Sequence, residues 1–283
     1  MRKGLLITGG NGKLGFEIAR LAGENYDVVS LGRREADVTR FDHLFRALEA
    51  ARPQIIVNCA GWTDVDGAES HPDEARAVNA LGPANVAKAA SRLGARLIHV
   101  STDFVFDGTK SGPYTEKDAP NPLSVYGRTK LEGERAVMEL ARDACIVRSA
   151  WLYGARGRDF LTAILERARA GSALRVIDDQ FGSPTWAADL GQAILDLIPT
   201  ACRGLVHFVN AGKASRYDEA CEALRLAGIQ AKVERVKASE YKLAAQRPYP
   251  QSVLDTSLYG RLTDKQPRSW REAMAEFLTA PKT

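Results

Sequence analysis

The sequence predicts an α/β protein: a doubly wound parallel sheet of the Rossmann type, with a smaller interleaved C-terminal substrate domain. Short apolar runs alternate with helical patterns through the first half of the 283 residues, and a glycine-rich turn follows the first run. This alternation indicates βαβ units, whose buried parallel strands read as continuous apolar segments. From about Phe160 onward the rhythm is less regular, which is typical of a second, smaller domain.

Composition restricts the class of protein before any motif is considered. Hydrophobic residues make up 45% and charged residues 26% of the chain, which is ordinary for a folded globular protein. The first apolar run stops at Thr8, too early for a signal-peptide core, and no apolar stretch approaches the roughly 20 residues that span a bilayer. We therefore expect a cytoplasmic protein that does not contact a membrane.

The charged, cysteine and histidine residues predict neither a nucleic-acid surface nor a metal site. The net charge of +4 arises from basic residues interleaved with acidic ones, which leaves an anionic small molecule open as a ligand. The cysteines show no C-x-x-C spacing, and the histidines are isolated from them. We interpret all eight as structural or surface residues: Cys59, Cys145, Cys202, Cys221, His43, His71, His99 and His207.

The first strand, GLLIT, leads into the turn TGGNGKLG and then into a helix. Its glycines, Gly9, Gly12 and Gly15, are typical of a turn that lets the backbone approach a pyrophosphate at the positive N-terminus of the helix. An ordinary glycine-rich turn is the alternative. The order of strand, turn and helix favours a dinucleotide site.

The second strand, DVVSL, ends at Gly32, Arg33 and Arg34. A fold selective for NAD usually offers an acidic residue to the ribose hydroxyls there, whereas a guanidinium suits the 2′-phosphate of NADPH. The sequence therefore predicts NADPH as the preferred cofactor. A pair of solvated loop arginines is the alternative.

The strand RLIHVSTDF places Ser101, Thr102 and Asp103 near its carboxyl end, at the sheet edge where ligands bind. We predict that the Thr102 hydroxyl hydrogen-bonds a substrate carbonyl. A hydroxyl that satisfies the backbone at a strand end is the alternative.

A helix predicted from about Ser124 to Arg142 carries Tyr126 and Lys130 one turn apart. Positions i and i+4 lie on the same helical face, so the phenol and the ammonium can reach one ligand. We predict that Tyr126 is the proton donor, and that Lys130 holds the cofactor ribose and lowers the pKa of the tyrosine. A solvated pair on an amphipathic surface is the alternative.

The glycine turn, the strand-end threonine and the Y-x-x-x-K helix resemble the extended short-chain dehydrogenase/reductases over nearly the whole chain. The segment NCAG at 58–61 matches that family's strand beside the adenosine. Within the family, five segments are similar to one group of nucleotide-sugar reductases: STDFVFDG, NPLSVYGRTKLEGE, RSAWLYG, DQFGSPT and RPYPQSVLD.

The resemblance also implies which residues contact the two ligands. For the cofactor, it adds Asn11, Lys13, Leu14, Asp37, Val38, Ala60, Gly61 and Thr63 to the glycines, Arg33, Tyr126 and Lys130. For the sugar nucleotide it implies Val65, Asp103, Trp151 and Arg247, the last at a phosphate. A core anchor is the alternative for Trp151, because it follows an apolar strand.

The implied reaction is the NAD(P)H-dependent reduction of the C4 ketone of dTDP-4-dehydro-6-deoxy-L-hexose to dTDP-L-rhamnose. The partner is then a dTDP-sugar, and the cofactor is NADPH with NADH also accepted. Another nucleotide-sugar ketoreductase or epimerase of the family, a non-catalytic NADP-binding regulatory subunit and a nucleic-acid-binding module are the alternatives.

The sequence pattern also predicts two domains, and the resemblance bears on how subunits could pair. We predict a dinucleotide-binding domain at residues 1–155 and a mainly substrate-binding domain at 156–283, with some segments returning to the first. The resemblance leaves a homodimer open, because some relatives pair through a Mg²⁺ site. Glu17 matches one acid of that site, but Ala188 stands at the other, so no metal is predicted.

Overall fold

The computed structural model describes residues 2–279; Met1 and the last four residues of the predicted second domain lie outside them. Its strands in chain order are β1 (Lys3–Thr8), β2 (Tyr26–Leu31), β3 (Ile55–Asn58), β4 (Arg96–Thr102), β5 (Ala144–Ser149), β6 (Leu152–Tyr153), β7 (Leu174–Ile177), β8 (Phe181–Gly182), β9 (Thr185–Trp186), β10 (Gly204–His207), β11 (Ala214–Ser215) and β12 (Val233–Val236).

The α-helices are α1 (Lys13–Ala22), α2 (Phe41–Ala51), α3 (Val65–Ser70), α4 (Pro72–Arg76), α5 (Gly82–Leu93), α6 (Val125–Leu140), α7 (Phe160–Arg169), α8 (Ala187–Leu197), α9 (Arg216–Leu226), α10 (Ser257–Thr263) and α11 (Trp270–Thr279). A π-helical segment, Ala77–Leu81, joins α4 to α5, and short 3₁₀ turns lie at Asp103–Val105 and Ala238–Glu240. None of the described helices is both long and apolar enough to cross a membrane.

Six strands form one parallel sheet in the order β2-β1-β3-β4-β5-β10. In its register Thr8 lies opposite Asn58, and Asn58 lies opposite His99, so the carboxyl ends of the central strands meet at one edge. Helices α1, α8 and α10 contribute to the core on one face, while α2, α5 and α6 contribute to the core on the other. The predicted doubly wound parallel sheet is confirmed.

A second, smaller core lies outside this sheet. It is formed largely by α7, α9 and α11 around Trp270, which is only 1% exposed. Two elements from the second half of the chain nevertheless belong to the large sheet and its helices. Strand β10 extends the sheet, and α8 packs on α1. The division between residues 155 and 156 stays a prediction.

Helix α6 starts where the sequence offers two acceptors for its free N–H groups. The Ser124 side chain accepts a hydrogen bond from the N–H of Gly127 at 3.1 Å, and Glu69 accepts from the N–H of Val125 at 2.7 Å. A Cβ atom on Gly127 would lie 2.2 Å from the backbone oxygen of Phe104, so only glycine lets the helix approach so closely. The approach brings Tyr126 beside the turn that follows β4.

One face of α6 is fastened to the sheet by a buried ion pair. Arg148 in β5 donates to both carboxylate oxygens of Glu134 at 2.8 and 2.6 Å, and the two side chains are 2% and 4% exposed. Glu134 lies one turn beyond Lys130 and two turns beyond Tyr126, on the same helical face. The pair therefore holds the helix that carries the predicted catalytic residues.

Candidate active site

A cavity of about 890 Å³ opens at the carboxyl edge of the sheet. It is bordered by every residue that the sequence assigns to a ligand: Gly9, Asn11, Gly12, Lys13, Leu14, Gly15, Arg33, Asp37, Val38, Ala60, Gly61, Thr63, Val65, Thr102, Asp103, Tyr126, Lys130, Trp151 and Arg247. The structure thus brings together in one cavity residues that are up to 238 positions apart, because parallel strands deliver their ends to the same edge.

The glycine turn between β1 and α1 has the shape needed to accept a phosphate group. Gly9 has φ of +70°, a left-handed conformation, and a Cβ atom there would lie 2.6 Å from the backbone nitrogen of Ala60. Gly12 is the N-cap of α1 and brings no side chain to the free N–H groups of the first turn. These amides and the helix dipole fit a dinucleotide pyrophosphate.

The end of β2 carries more acidic character than the sequence indicated. Arg33 borders the cavity with an 81% exposed side chain, and its Nε lies 3.7 Å from a carboxylate oxygen of Asp37. Arg34 is exposed and is not among the described residues that border the cavity. Glu35 folds back and accepts a hydrogen bond from the N–H of Gly32 at 3.0 Å. A turn therefore brings the Glu35 carboxylate back to the end of β2, although Glu35 stands three residues beyond Gly32 in the sequence.

Thr102 and Asp103 form a connected pair at the end of β4. The Thr102 hydroxyl accepts from the N–H of Phe104 at 3.2 Å and donates to Asp103 at 3.1 Å. Asp103 is 1% exposed and also receives a short hydrogen bond from Ser252. Burial raises the pKa of Asp103 to about 6, against the hydrogen bonds from Ser252 and Thr102. The threonine is thus partly engaged with local groups, as its alternative reading predicted, while it borders the cavity.

The predicted lowering of the Tyr126 pKa by Lys130 is wrong for this structure. Burial raises the pKa of Tyr126 to about 12, and the charge of Asp103 acts in the same direction, whereas a hydrogen bond with Thr102 opposes it. The physical reason is that the buried phenolate loses its hydration and faces a carboxylate. The phenol therefore keeps its proton at neutral pH, which suits a proton donor.

Lys130 is held away from bulk water and bonded to the backbone of β4. Its Nζ donates to the carbonyl oxygen of Val100 at 2.6 Å, and the residue is 6% exposed. Burial lowers the pKa of Lys130 to about 8, while the nearby Glu134 carboxylate opposes the shift. The hydrogen bond fixes the side chain at the border of the cavity, on the face of α6 that also carries Tyr126.

The residues assigned to the sugar nucleotide all border the cavity. Trp151 follows β5 with a φ of +48° and is partly buried. Arg247 donates to both carboxylate oxygens of Asp66, at 3.2 and 2.8 Å, and to the carbonyl oxygen of Ala245 at 3.0 Å. Any phosphate at Arg247 must therefore compete with Asp66 for the guanidinium.

Several cavity residues were not found by sequence reasoning. They come mainly from loops and from the irregular second half of the chain: Trp62, Arg156, Arg158, Phe160, Arg216 and Glu219. No spacing motif marks them, because their positions depend on how the second core packs beside the sheet. Only the capping pattern of α9, in which Ser215 accepts from the N–H of Asp218, is legible in the sequence.

Glu17 and Asp189, the acid next to Ala188 in the sequence, are both engaged by arginines. Glu17 lies 2.8 Å from Arg20, and Asp189 binds Arg268 at 2.8 Å. Among residues 2–279, no group of three or more histidine, cysteine, aspartate or glutamate side chains has the arrangement needed to hold a metal ion. The four cysteines are free, and the sulfur atoms of Cys145 and Cys202 lie 2.9 Å apart in the core.

Comparison with known proteins gives consistent matches over the full length. The family model described as RmlD substrate binding domain matches residues 1–282. A dTDP-4-dehydrorhamnose reductase from Mycobacterium tuberculosis is 41% identical, and the alignment covers 98% of this chain and 93% of that protein. A probable dTDP-4,6-dihydroxy-2-methyloxan-3-one 4-ketoreductase from Streptomyces antibioticus is also 41% identical, over 96% of this chain and 93% of its own length.

Solved structures agree with these matches. The crystal structure of dTDP-4-dehydrorhamnose reductase from Bacillus anthracis in complex with NADP superimposes with a TM-score of 0.96 and is 35% identical. The superposition covers 99% of this chain and 100% of that one.

Proposed function

Because the chain belongs to the RmlD substrate binding domain family, with the dTDP-4-dehydrorhamnose reductases as relatives, we propose that it reduces the C4 ketone of dTDP-4-dehydro-6-deoxy-L-hexose to dTDP-L-rhamnose, using NADPH. The observation that carries the proposal is the convergence of Thr102, Tyr126 and Lys130 beside the glycine turn in one cavity. A proton donor next to a dinucleotide turn is what carbonyl reduction requires.

The cavity fits the cofactor at three places. We assign the pyrophosphate to the free amides at the start of α1, the adenine to Asp37 and Val38, and the ribose hydroxyls to the ammonium of Lys130, because all of these groups border the cavity. Arg33, exposed at the rim, offers its guanidinium to the 2′-phosphate. When bound, NADPH supplies the hydride that the carbonyl carbon accepts.

Tyr126 supplies the proton. As the carbonyl carbon is reduced, its oxygen becomes an alkoxide, which is a much stronger base than a phenolate. A phenol that is protonated at neutral pH therefore transfers its proton favourably to that oxygen, even with its pKa raised to about 12. Thr102 also borders the cavity, and its hydroxyl would stabilise the oxygen by turning its hydrogen from Asp103 to the substrate.

Product identification is the direct test. Purified protein is incubated with the dTDP-4-keto sugar and NADPH, and the product and the remaining cofactor are quantified. We expect dTDP-L-rhamnose, with one NADPH oxidised for each molecule formed. An epimerase would leave the amount of reduced cofactor unchanged, and a regulatory subunit would bind NADPH without turnover.

A second candidate is the reduction of a different dTDP-4-keto sugar. The similarity to the probable 4-ketoreductase of Streptomyces antibioticus supports it, because the two relatives are equally identical to this chain. Comparing kcat/KM for dTDP-4-keto-6-deoxy sugars that differ at C3 and C5 separates the two. The better substrate identifies the configuration that the cavity accepts.

The preference for NADPH is expected to depend on Arg33. The guanidinium is 81% exposed, so water and salt screen its attraction for the 2′-phosphate. A charge-assisted hydrogen bond is worth roughly 1.5–3 kcal/mol, so we expect NADPH to be favoured over NADH by about ten- to a hundredfold in kcat/KM. Arg33→Asp should shift the ratio toward NADH, while Arg34→Asp serves as the neighbouring control. If kcat/KM were equal for the two cofactors and Arg33→Asp did not change it, Arg33 would be a solvated residue that does not contact the cofactor.

Trp151→Ala is expected to raise KM for the dTDP-keto sugar by about tenfold, because an aromatic face that packs on the sugar is lost. NADPH affinity should change little. Trp151→Phe keeps an aromatic ring and should recover much of the loss. A large fall in melting temperature with unchanged KM in the remaining folded protein would instead support the role of a core anchor.

The other assignments stay predictions from the sequence. We propose Val65, Asp103 and Arg247 as further contacts to the sugar nucleotide, since all three border the cavity. A cytoplasmic location and the absence of nucleic-acid binding are likewise predictions. The sequence leaves a homodimer open, and gel filtration with light scattering measures the oligomeric state.

A further inference from the structure

Arg216, the first residue of α9, is held rigidly inside the cavity by three side chains. Its guanidinium carbon lies 3.4 Å from the centre of the Trp151 ring and 4.8 Å from the centre of the Phe160 ring. Its Nη1 donates to a carboxylate oxygen of Glu219 at 2.8 Å. The contacts with two rings and the ion pair hold the guanidinium in place.

Glu219 is present in the cavity wall as a buried acid. It is 1% exposed, whereas Arg216 is 23% exposed by side chain, so the pair is sealed on the glutamate side and open on the arginine side. Burial raises the pKa of Glu219 to about 6, against the charge of Arg216. A buried carboxylate of this kind positions a cation whose other side faces the cavity.

Arg216 has N–H donors that are still available, whereas the terminal N–H groups of Arg247 are already hydrogen-bonded. In the part of the chain that the structure describes, the Nε and Nη2 atoms of Arg216 make no hydrogen bond, and only Nη1 is engaged. Arg247 uses both terminal nitrogens on Asp66 and Ala245. Two parallel N–H groups on a fixed guanidinium match two oxygens of a phosphate.

We propose that Arg216 binds the diphosphate of the nucleotide sugar, with Glu219 and Trp151 as its positioning residues. This inference rests on the proposed function, since it takes a dTDP-sugar as the ligand. The diphosphate is the strongly anionic part of that ligand, and Arg216 borders the cavity beside Trp151, which is proposed to contact the sugar. The charge of Arg216 opposes the rise in the pKa of Asp103, which also borders the cavity.

The test is direct binding of dTDP, without cofactor or turnover, measured by titration calorimetry on Arg216→Gln and on the parent. We expect the affinity for dTDP to fall by about ten- to a hundredfold, as for the loss of charge-assisted hydrogen bonds. In turnover, KM for the dTDP-keto sugar should rise by a similar factor while kcat and NADPH affinity stay within about threefold. Glu219→Gln should give a smaller rise in KM, because it removes only the positioning contact.

Arg225→Gln is the matched control. Arg225 lies on the same helix and forms the same i,i+3 ion pair, with Glu222, but it is 66% exposed and is absent from the described cavity lining. Its substitution should leave dTDP binding unchanged. Arg216→Lys keeps the charge and the ion pair, so it remains folded if Arg216→Gln does not, and it should lose part of the affinity because it lacks the planar fork.

Two results would overturn the assignment. One is dTDP affinity in Arg216→Gln or Arg216→Lys equal to that of the parent. The other is an equal loss of NADPH affinity, which would indicate a general disturbance of the cavity. A parent that binds dTDP through Arg216 but forms no dTDP-L-rhamnose would contradict the proposed reaction alone, so the two failures are distinguishable.

Discussion

Tyr126→Phe is expected to lower kcat by about 10²-fold or more, with NADPH affinity little changed, because general acid catalysis typically contributes 10²–10⁴-fold. The substitution removes only the hydroxyl. The ring, which meets Phe104 edge to face with centroids 5.4 Å apart, is kept, so the helix should remain in place. The measurement is steady-state turnover of the dTDP-keto sugar, with NADPH affinity from fluorescence titration.

The control for this variant is Tyr249→Phe. Tyr249 is 48% exposed, and its hydroxyl donates to Asp179 at 3.2 Å, so its loss removes a phenol without touching the residues beside Thr102. We expect the control to retain the parent rate. If Tyr126→Phe turned over within a few-fold of the parent, another group would have to deliver the proton.

Glu134→Gln is expected to reduce the free energy of unfolding by roughly 3–5 kcal/mol, the cost of breaking a buried ion pair. The substitution keeps the shape of the side chain but leaves the guanidinium of Arg148, 2% exposed, without a counter-charge. Because α6 carries Tyr126 and Lys130 on the same face, loosening it should also lower kcat. Equilibrium unfolding in urea measures the first effect, and turnover measures the second.

The matched control is Glu132→Gln, on the same helix. Glu132 pairs with Arg76 at the same 2.8 Å, but the two side chains are 42% and 54% exposed. Solvent screens such a pair, so its loss should cost less than about 1 kcal/mol. A double change, Glu134→Leu with Arg148→Met, replaces both charges by apolar groups and should recover much of the stability. Equal effects of Glu134→Gln and Glu132→Gln would refute the argument from burial.

The local chemistry of the site was readable in the sequence. Gly9, Thr102, Tyr126 and Lys130 each occupy a position that a short pattern specifies: a turn after a strand, a strand end, and two residues one helical turn apart. Such patterns follow from backbone geometry over a few residues, and the parallel sheet then brings the strand ends to one edge. Fold class and candidate catalytic residues could therefore be predicted together.

Tertiary structure decided which partner each of these groups meets. The pKa of Tyr126 is raised rather than lowered, because burial and Asp103 prevail at its hydroxyl while Lys130 bonds to the carbonyl of Val100. Arg247 is engaged by Asp66, 181 residues away. Free energies of burial and pairing depend on distance and local polarity, which no spacing along the chain encodes.

Arg216 shows the same limit most clearly. Arg216 reads in the sequence as one charged residue at the start of a helix, with Glu219 as an ordinary neighbour three positions on. Only the packing of α9 against the loop after β5 stacks its guanidinium on Trp151 and directs it into the cavity. The sequence by itself determined the sheet and predicted the cofactor turn and the proton donor, because each is a local pattern. Contacts between distant segments decided which partners the charged groups at the cavity meet.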